Sequence, residues 1–457
     1  MLNNKIKIPN YALYVCAVLS CSGIMFGYDN SVVAGAIGSM ITKFSLDPAT
    51  TGWVVSCITV GAIFGSLLAG ILSDSLGRKK VLLMATLCFA VGSIGQGIAE
   101  DVSVLVLLRI ISGFGIGLTN TVSPLYIAEM APTKIRGALG SAYQLLIVIG
   151  ITIVFFVNAY VASLGDTAWN VEIGWRIMLA LGAVPAILIL VFAVTVPESP
   201  RWLCWKKRDV EAKAILRKLR HPEEVEEEIK AIDENIKRSA QEKSVPITTI
   251  FEPGIRKIVG MGFLLALFQH ITGIDGILYY ASIIFQEAGA GAQTALYNTI
   301  IIGITLTVFT LVAIFTVDKF GRKILLLVGT IIMAVSLGAI SLLFFLGDPS
   351  VWAILGLILV NVAGFSIGMG SVMWVVLGEI FPTKIRGIAM SVAMTAFWIA
   401  NYLVSQFLPI IADSMGMEMV FFIFCILAVI AILYIWKFVP ETKGKTLEEI
   451  EKFLLKD

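Results

Sequence analysis

The chain has 457 residues, of which 58% are hydrophobic and only 14% charged, with a formal net charge of +2, and its mean hydropathy is +0.91. A water-soluble domain carries about 25% charged residues, so the composition excludes a soluble enzyme and points to a protein that crosses a membrane many times. No phosphate loop, H-E-x-x-H or nucleophile elbow occurs, and there are two histidines in all; ATP-driven work, intramembrane catalysis, a metal centre and a resident cofactor are therefore not expected.

Twelve apolar stretches, each near the roughly 20 residues needed to cross a bilayer, are predicted at 12–36, 51–73, 81–99, 103–125, 138–162, 174–196, 257–285, 295–317, 324–346, 351–377, 388–412 and 419–438. The first contains Asp29 and no convincing cleavage site, so it reads as a retained helix rather than a signal peptide. A carboxylate inside such a helix costs roughly 2.5–3.5 kcal/mol on insertion scales and is functional by default. After the second stretch, Gly70, Asp74, Gly77, Arg78, Lys79 and Lys80 spell G-x-x-x-D-x-x-G-R-K-K. The fourth holds Arg109 behind the apolar run Val104 to Leu108, the best-placed buried base for Asp29. Pairing would make both charges tolerable, and protonating Asp29 would release Arg109 and switch the helix packing. A static pair that only aids packing is the alternative. Glu129 to Gly137 follows as E-M-A-P-T-K-I-R-G, the fifth stretch carries Gln144, and Val196-Pro197-Glu198 closes the sixth.

Residues 197–256 break the hydropathy. Val210, Ala214, Ile215 and Leu219 have the spacing of a short amphipathic helix, and a second is expected near 222–239. The acidic run Glu223 to Glu228 reads as a solvated helix face and His221 as a surface turn residue. The seventh stretch contains Gln269, His270, Gly273, Asp275, Gly276 and Tyr279. Its two glycines flank Asp275 and should break the helix, which is tolerated at membrane depth only where a cavity or buried protein receives the exposed backbone. Trp374, Trp398 and Asn401 are candidates for a cavity wall, although tryptophans also serve as interface anchors. Amides and carboxylates suit hydroxyl groups, and aromatic faces suit the C–H faces of a sugar.

The second half repeats the first. Asp318 to Lys323 reads D-x-x-G-R-K, Glu379 to Gly387 reads E-I-F-P-T-K-I-R-G, and Val439-Pro440-Glu441 returns; the matching residues lie 243 to 250 positions apart. Two homologous halves in a membrane protein signal a transporter that rocks around a shared site. The expected division is a bundle at 1–196, a cytoplasmic helical linker at 197–256, a second bundle at 257–440 and a short tail at 441–457. The repeated loops, Lys5 and Lys7 place basic residues on one side, and most acids of the opposite loops, such as Glu100, Asp166 and Glu287, face the other; Lys43 and Arg176 are the exceptions. The basic side is expected to be cytoplasmic, with both termini inside. Arg78, Glu129, Arg136, Glu198, Arg322, Glu379, Arg386 and Glu441 are expected to form cytoplasmic ion pairs across the bundles, breakable when the protein opens inward. The six cysteines lack metal spacing and read as small apolar core residues.

Taken together, these motifs resemble the sugar porter family of the major facilitator superfamily, bacterial pentose and hexose proton symporters above all, over essentially the whole chain. The residues that carry the resemblance are the duplicated loops, Gly27-Tyr28-Asp29, Pro197 to Leu203, the Gln269 to Tyr280 segment and Pro440 to Gly444. The resemblance implies an all-α fold of twelve transmembrane helices in two pseudo-symmetric six-helix bundles. It implies inward movement of a monosaccharide or polyol with a proton, in a plasma membrane and as a monomer, with no nucleic acid as partner. It places Phe26, Gln144, Gln269, Asp275 and Tyr279 on sugar-contacting positions and proton coupling on Asp29. Departures predict a pocket unlike the xylose site. His270 stands for a second glutamine, Asp275 for an asparagine, Leu306 for an asparagine, Met369 and Ser371 for a tryptophan and a proline, Ile151 for a glutamine and Gly182 for an acidic residue. Asp275 and His270 would favour a polyol or cyclitol or add a titrating group, with a core role for His270 as the alternative. A facilitative uniporter is the rival that Asp29 argues against. A sugar sensor would be expected to carry longer cytoplasmic tails.

Overall fold

A computed structural model describes residues 9–132, 135–241, 247–347, 349–382, 385–445 and 449–450, apart from the side chains of residues 136, 235–241 and 247. Every regular element among them is helical. The first half contains α1 (Asn10–Phe44), α2 (Pro48–Leu76), α3 (Arg78–Ile98), α4 (Val102–Met130), α5 (Arg136–Ala162) and α6 (Thr167–Ala193). The linker forms α7 (Pro200–Trp205), α8 (Asp209–Leu219) and α9 (Pro222–Gln241). The second half contains α10 (Pro253–Ile271), α11 (Ile274–Glu287), α12 (Ala292–Phe320), α13 (Arg322–Phe345), α14 (Val351–Ile380) and α15 (Arg386–Phe438).

Two of these labels hide a span count. α10 and α11 are one crossing broken at Gly273, whose φ of +97° is left-handed. α15 is two crossings joined at Gly416, where φ is +83° and ψ is +164°. Twelve crossings result, as the hydropathy pattern predicts. Of the two glycines expected to break the seventh crossing, only Gly273 does so; Gly276 is helical. α6 and α14 each contain one π-type segment, Asn170–Gly174 and Ser366–Gly370.

α1 packs on α5, α2 on α4 and α3 on α4, while α10 and α13 pack on α15. The halves meet along α2 with α15, α5 with α12, and α1 with α11. Phe64, Ile71, Phe315, Phe345 and Trp352 are each more than half exposed on the outside. Without water to hide from, a lipid-facing surface keeps such side chains outward, and the hydrophobic effect does not sort them.

Twin turns begin α3 and α13. Gly77 has φ +99° and Gly321 φ +93°, and a Cβ at either would collide with Glu198 or Glu441. Only glycine adopts this geometry at low cost, which accounts for its place in both copies of the D-x-x-G-R-K motif. Of the three linker helices, α8 and α9 have the expected positions, and the short α7 precedes them. Arg220, nearly fully buried, ties the linker to the first half by donating to the Met130 and Ala131 carbonyls at 2.9 and 3.1 Å and to Glu228 at 2.6 and 3.0 Å. Those carbonyls end α4 and have no helical partner of their own.

Candidate functional site

A cavity of about 1100 Å³ lies between the halves. Its wall runs from Asn120, Gln144, Trp374 and Trp398 at depth to Gly137, Asp318, Arg322 and Gly387 at the end where the basic loops lie. The cavity is therefore open at the basic end. It is larger than the 300–1,000 Å³ typical of a fitted small-molecule pocket, so it is a vestibule leading to a site. The opposite end is shut by contacts between the halves. Ser56 donates to the Gln406 side chain at 2.9 Å, and Gln406 donates to the Ala49 carbonyl at 3.0 Å. Thr152 donates to the Gly303 carbonyl at 2.7 Å. Ser282 donates to the Ala34 carbonyl, and Tyr279 to the Asn30 side chain.

Above the vestibule a second void of only about 20 Å³ is lined by Phe26, Asp29, Asn30, Arg109, Tyr279, Trp398 and Asn401. That is room for about one water. Asp29 and Arg109 thus share one chamber, but they are not within ion-pair distance. Arg109, 1% exposed, instead donates weakly at 3.4 Å to Gln96 and to the Val55 carbonyl, and its Nε has no partner. The expected direct pair is corrected to a pair of neighbours in a common chamber. Separation is physically natural here, because a guanidinium bonded to neutral acceptors does not need the carboxylate to be charged.

Phe26, Tyr279, Trp398 and Asn401 surround the chamber, and Gln144 and Trp374 line the vestibule below it. Trp398 lines both and donates to Ser66 across the halves at 3.2 Å. Asn401 donates to the Tyr279 hydroxyl at 2.9 Å. An aromatic series links the two spaces: Phe26 to Trp398 at 6.0 Å, Trp398 to Phe397 at 5.0 Å and Phe397 to Trp374 at 5.5 Å between ring centres. Gln269, His270 and Asp275 line neither space. Gln269 donates to the Met369 carbonyl, in the π segment of α14, at 3.2 Å, and its carbonyl oxygen is buried without a partner. His270 Nδ1 bonds Asp275 Oδ2, and its ring stands edge-on to Phe397 at 4.0 Å. These three sit one layer behind the wall.

Sequence reasoning missed Asn30, Ser66 and Asn120. Asn30 follows Asp29 directly, and its neighbour's charge drew the attention. Ser66 and Asn120 are polar residues on the inner faces of α2 and α4, a signal present in the pattern but too weak to single out.

The loop residues expected to bridge the halves do not. Arg78 holds Glu129 through two bonds of 3.0 and 3.1 Å and also reaches Asp74 at 3.1 Å. Arg322 reaches Glu379 and Asp318, each at 3.0 Å. Glu198 accepts from the amides of Arg78, Lys79 and Ser199, and Glu441 from those of Arg322, Lys323 and Lys443. Arg386 donates to the Phe381 carbonyl. Every one of these contacts lies within one half. The reason is the open vestibule, which parts the halves at this end. The Arg136 side chain lies outside the described residues.

Two six-helix halves around one cavity, closed at one end and open at the other, define a membrane transporter of the major facilitator fold. The chain belongs to the sugar transporter family: the family model described as "Sugar (and other) transporter" matches residues 15–454. It is a transporter family, not an enzyme family. The chain is 38% identical over 446 residues to the arabinose-proton symporter of Bacillus subtilis (strain 168), covering 98% of this chain and 96% of that protein. It is 36% identical to the D-xylose-proton symporter of Escherichia coli (strain K12), covering 97% and 95%. The inward-open conformation of the xylose transporter from E. coli superposes with a TM-score of 0.85 at 35% identity, covering 97% of this chain and all of that one.

Proposed function

We propose that this protein is a proton-coupled importer of a monosaccharide, working by alternating access and poised here with its vestibule open to the cytoplasm. The observation that carries the reading is the chamber in which Asp29 and Arg109 lie beside Tyr279, Trp398 and Asn401. A proton acceptor and hydroxyl-binding groups in one small space let the two cargoes be sensed together. Proton on Asp29 frees Arg109, a reading supported by the separation of the two groups within one chamber. Loss of the proton to the cytoplasm would draw Arg109 back to the carboxylate and reset the helix packing. The relatives' sugars, arabinose and xylose, make a pentose the first candidate. The excess of basic residues in the loops at the vestibule end supports a cytoplasmic vestibule and cytoplasmic termini. The bundles at 1–196 and 257–440 are the rocking units, with 197–256 riding on the first and 441–457 as tail, and one copy of the chain contains the whole path. Arg78, Glu129, Glu198, Arg322, Glu379, Arg386 and Glu441 brace the cytoplasmic ends of the halves so that each moves as a body.

A membrane potential of 100 mV supplies about 2.3 kcal/mol per proton, which at about 1.4 kcal/mol per decade supports roughly forty-fold accumulation. The test is uptake of labelled xylose, arabinose, glucose, galactose, fructose and myo-inositol in proteoliposomes, with and without an inward proton gradient. We expect concentrative uptake of at least one pentose. In Asp29→Asn that accumulation should fall to equilibration while counterflow exchange survives. Uptake that merely equilibrates with or without the gradient in the unmodified protein would make it a uniporter.

A further inference from the structure

The break in the seventh crossing is spanned by a pair of side chains. His270 occupies the last turn of α10 and Asp275 the first turn of α11, with Gly273 between them. Their side chains bond to each other across the break, and both are buried, His270 at 7% and Asp275 at 1% exposure. The chemistry of the helix ends favours this arrangement. A helix C-terminus presents carbonyl oxygens and favours a cation, while an N-terminus presents amide hydrogens and favours an anion. The imidazole and the carboxylate each stand at the end that suits them. Because Nδ1 bonds Asp275 Oδ2, the ring is held in one orientation, nearly perpendicular to the Phe397 ring.

α10 and α11 make different attachments. α10 is anchored to α14 by Gln269. α11 carries contacts that shut the outer end, Tyr279 to Asn30 and Ser282 to Ala34, and is held to α15 of its own half by Tyr280, which donates to the Ser405 carbonyl at 2.7 Å. Opening that end requires α11 to leave α1. A glycine in the left-handed region is a free hinge, so without a brace α11 would move independently of α10.

We propose that His270 and Asp275 form a strap across the break that makes α10 and α11 turn as one body, so that the outer closure carried by α11 is coupled to α10 and, through Gln269, to α14. They are positioning residues for transport. The inference rests on the importer reading above, and it concerns the rate of the conformational cycle rather than the affinity for sugar.

The test is a double-mutant cycle with His270→Ala, Asp275→Ala and the double variant H270A/D275A, each reconstituted in proteoliposomes and assayed by counterflow of L-arabinose and D-xylose. Each single change removes the one bond across the break, so removing the second partner as well has no bond left to break. His270→Gln is the conservative control, since its amide NH₂ can still donate to the Asp275 carboxylate. We expect each alanine variant to lose at least tenfold in kcat with KM within threefold, the double variant to be no more than threefold slower than the slower single variant, and His270→Gln to stay within threefold of the unmodified protein. Losses that multiply in the double variant would overturn the strap, as would losses confined to KM, which would make the pair a sugar contact. Thermal melting in detergent without sugar supplies the second arm: the double variant should melt close to the less stable single variant, and additive losses would refute the coupling. If the unmodified protein exchanges neither pentose, the pentose reading fails, and the melting cycle still decides the strap.

Discussion

At the scale of single residues, the site depends on a few positions where backbone geometry admits one residue type. Gly273 is the sharpest. Its φ of +97° costs a residue with a side chain roughly 1–3 kcal/mol, and its added Cβ would lie 2.4 Å from the Phe424 ring. Gly276 is helical, and its added Cβ would meet the end of the Leu408 side chain at 2.6 Å, a neighbour that can rotate away. We therefore expect Gly273→Ala to cut transport at least tenfold and lower the melting temperature, and Gly276→Ala to retain most of both; equal losses would show that packing, not the left-handed backbone at the break, is what glycine supplies. Asp29, Arg109 and Gly273 were legible in the sequence because each violates a local rule, a charge or a breaker inside an apolar run. The His270 to Asp275 bond was not legible, since two polar residues five apart on one helix would point to different faces. Only the break at Gly273 brings them together. The separation of Asp29 from Arg109 was illegible for another reason: it is a property of one conformation, and a sequence encodes all the conformations of the cycle.

At the scale of elements, twelve crossings and the linker helices followed from hydropathy, periodicity and charge. The π segments at Asn170–Gly174 and Ser366–Gly370 did not, because an extra residue in a turn changes neither composition nor the apolar run. Nor did the pairing of helices between the halves, which depends on contacts distant in sequence. Those pairings locate the outer gate on α2 with α15 and α1 with α11. Gln406 is its half-buried clasp, holding Ser56 and the Ala49 carbonyl together. Each such bond contributes about 0.5–1.5 kcal/mol, enough to shift a balanced two-state equilibrium by severalfold. Ser282 is buried behind it. A Ser282→Cys reporter on a background lacking the native cysteines should react slowly with a membrane-impermeant thiol reagent added outside. Adding Gln406→Ala should raise that rate about three- to tenfold. An unchanged rate would place the clasp elsewhere.

At the scale of the whole molecule, the two halves share a plan but not an electrostatic balance. Glu198 and Glu441 are the clearest case. Burial pushes Glu198 above its ordinary 4.5, against the amides of Ser199, Lys79 and Arg78 and the Arg78 charge. Burial acts the same way on Glu441, but the amides of Lys443, Arg322, Lys323 and Thr442 outweigh it and hold the carboxyl below 4.5. The signs for stability are opposite. Glu198 contributes stability that is present below 4.5 and lost as pH rises through its folded value. Glu441 contributes stability that is present above 4.5 and lost as pH falls through its folded value. The bonding agrees. All three amides on Glu198 meet one oxygen, Oε1, which a glutamine carbonyl reproduces. Those on Glu441 divide between Oε1 and Oε2, so a glutamine must turn its NH₂ toward an amide hydrogen. At pH 7, Glu198→Gln should therefore melt at or above the unmodified protein. Glu441→Gln should melt below it, by the loss of a charge-assisted bond worth about 1.5–3 kcal/mol. Since glutamine mimics the protonated acid, both differences should shrink toward zero as the pH of the melt is lowered past about 4. A Glu441→Gln deficit that persists unchanged to pH 4 would mean that shape, not charge, is what the second half loses. Equal deficits for both variants at pH 7 would mean that the halves are electrostatically alike, and the asymmetry drawn from their differing burial and bonding would fall.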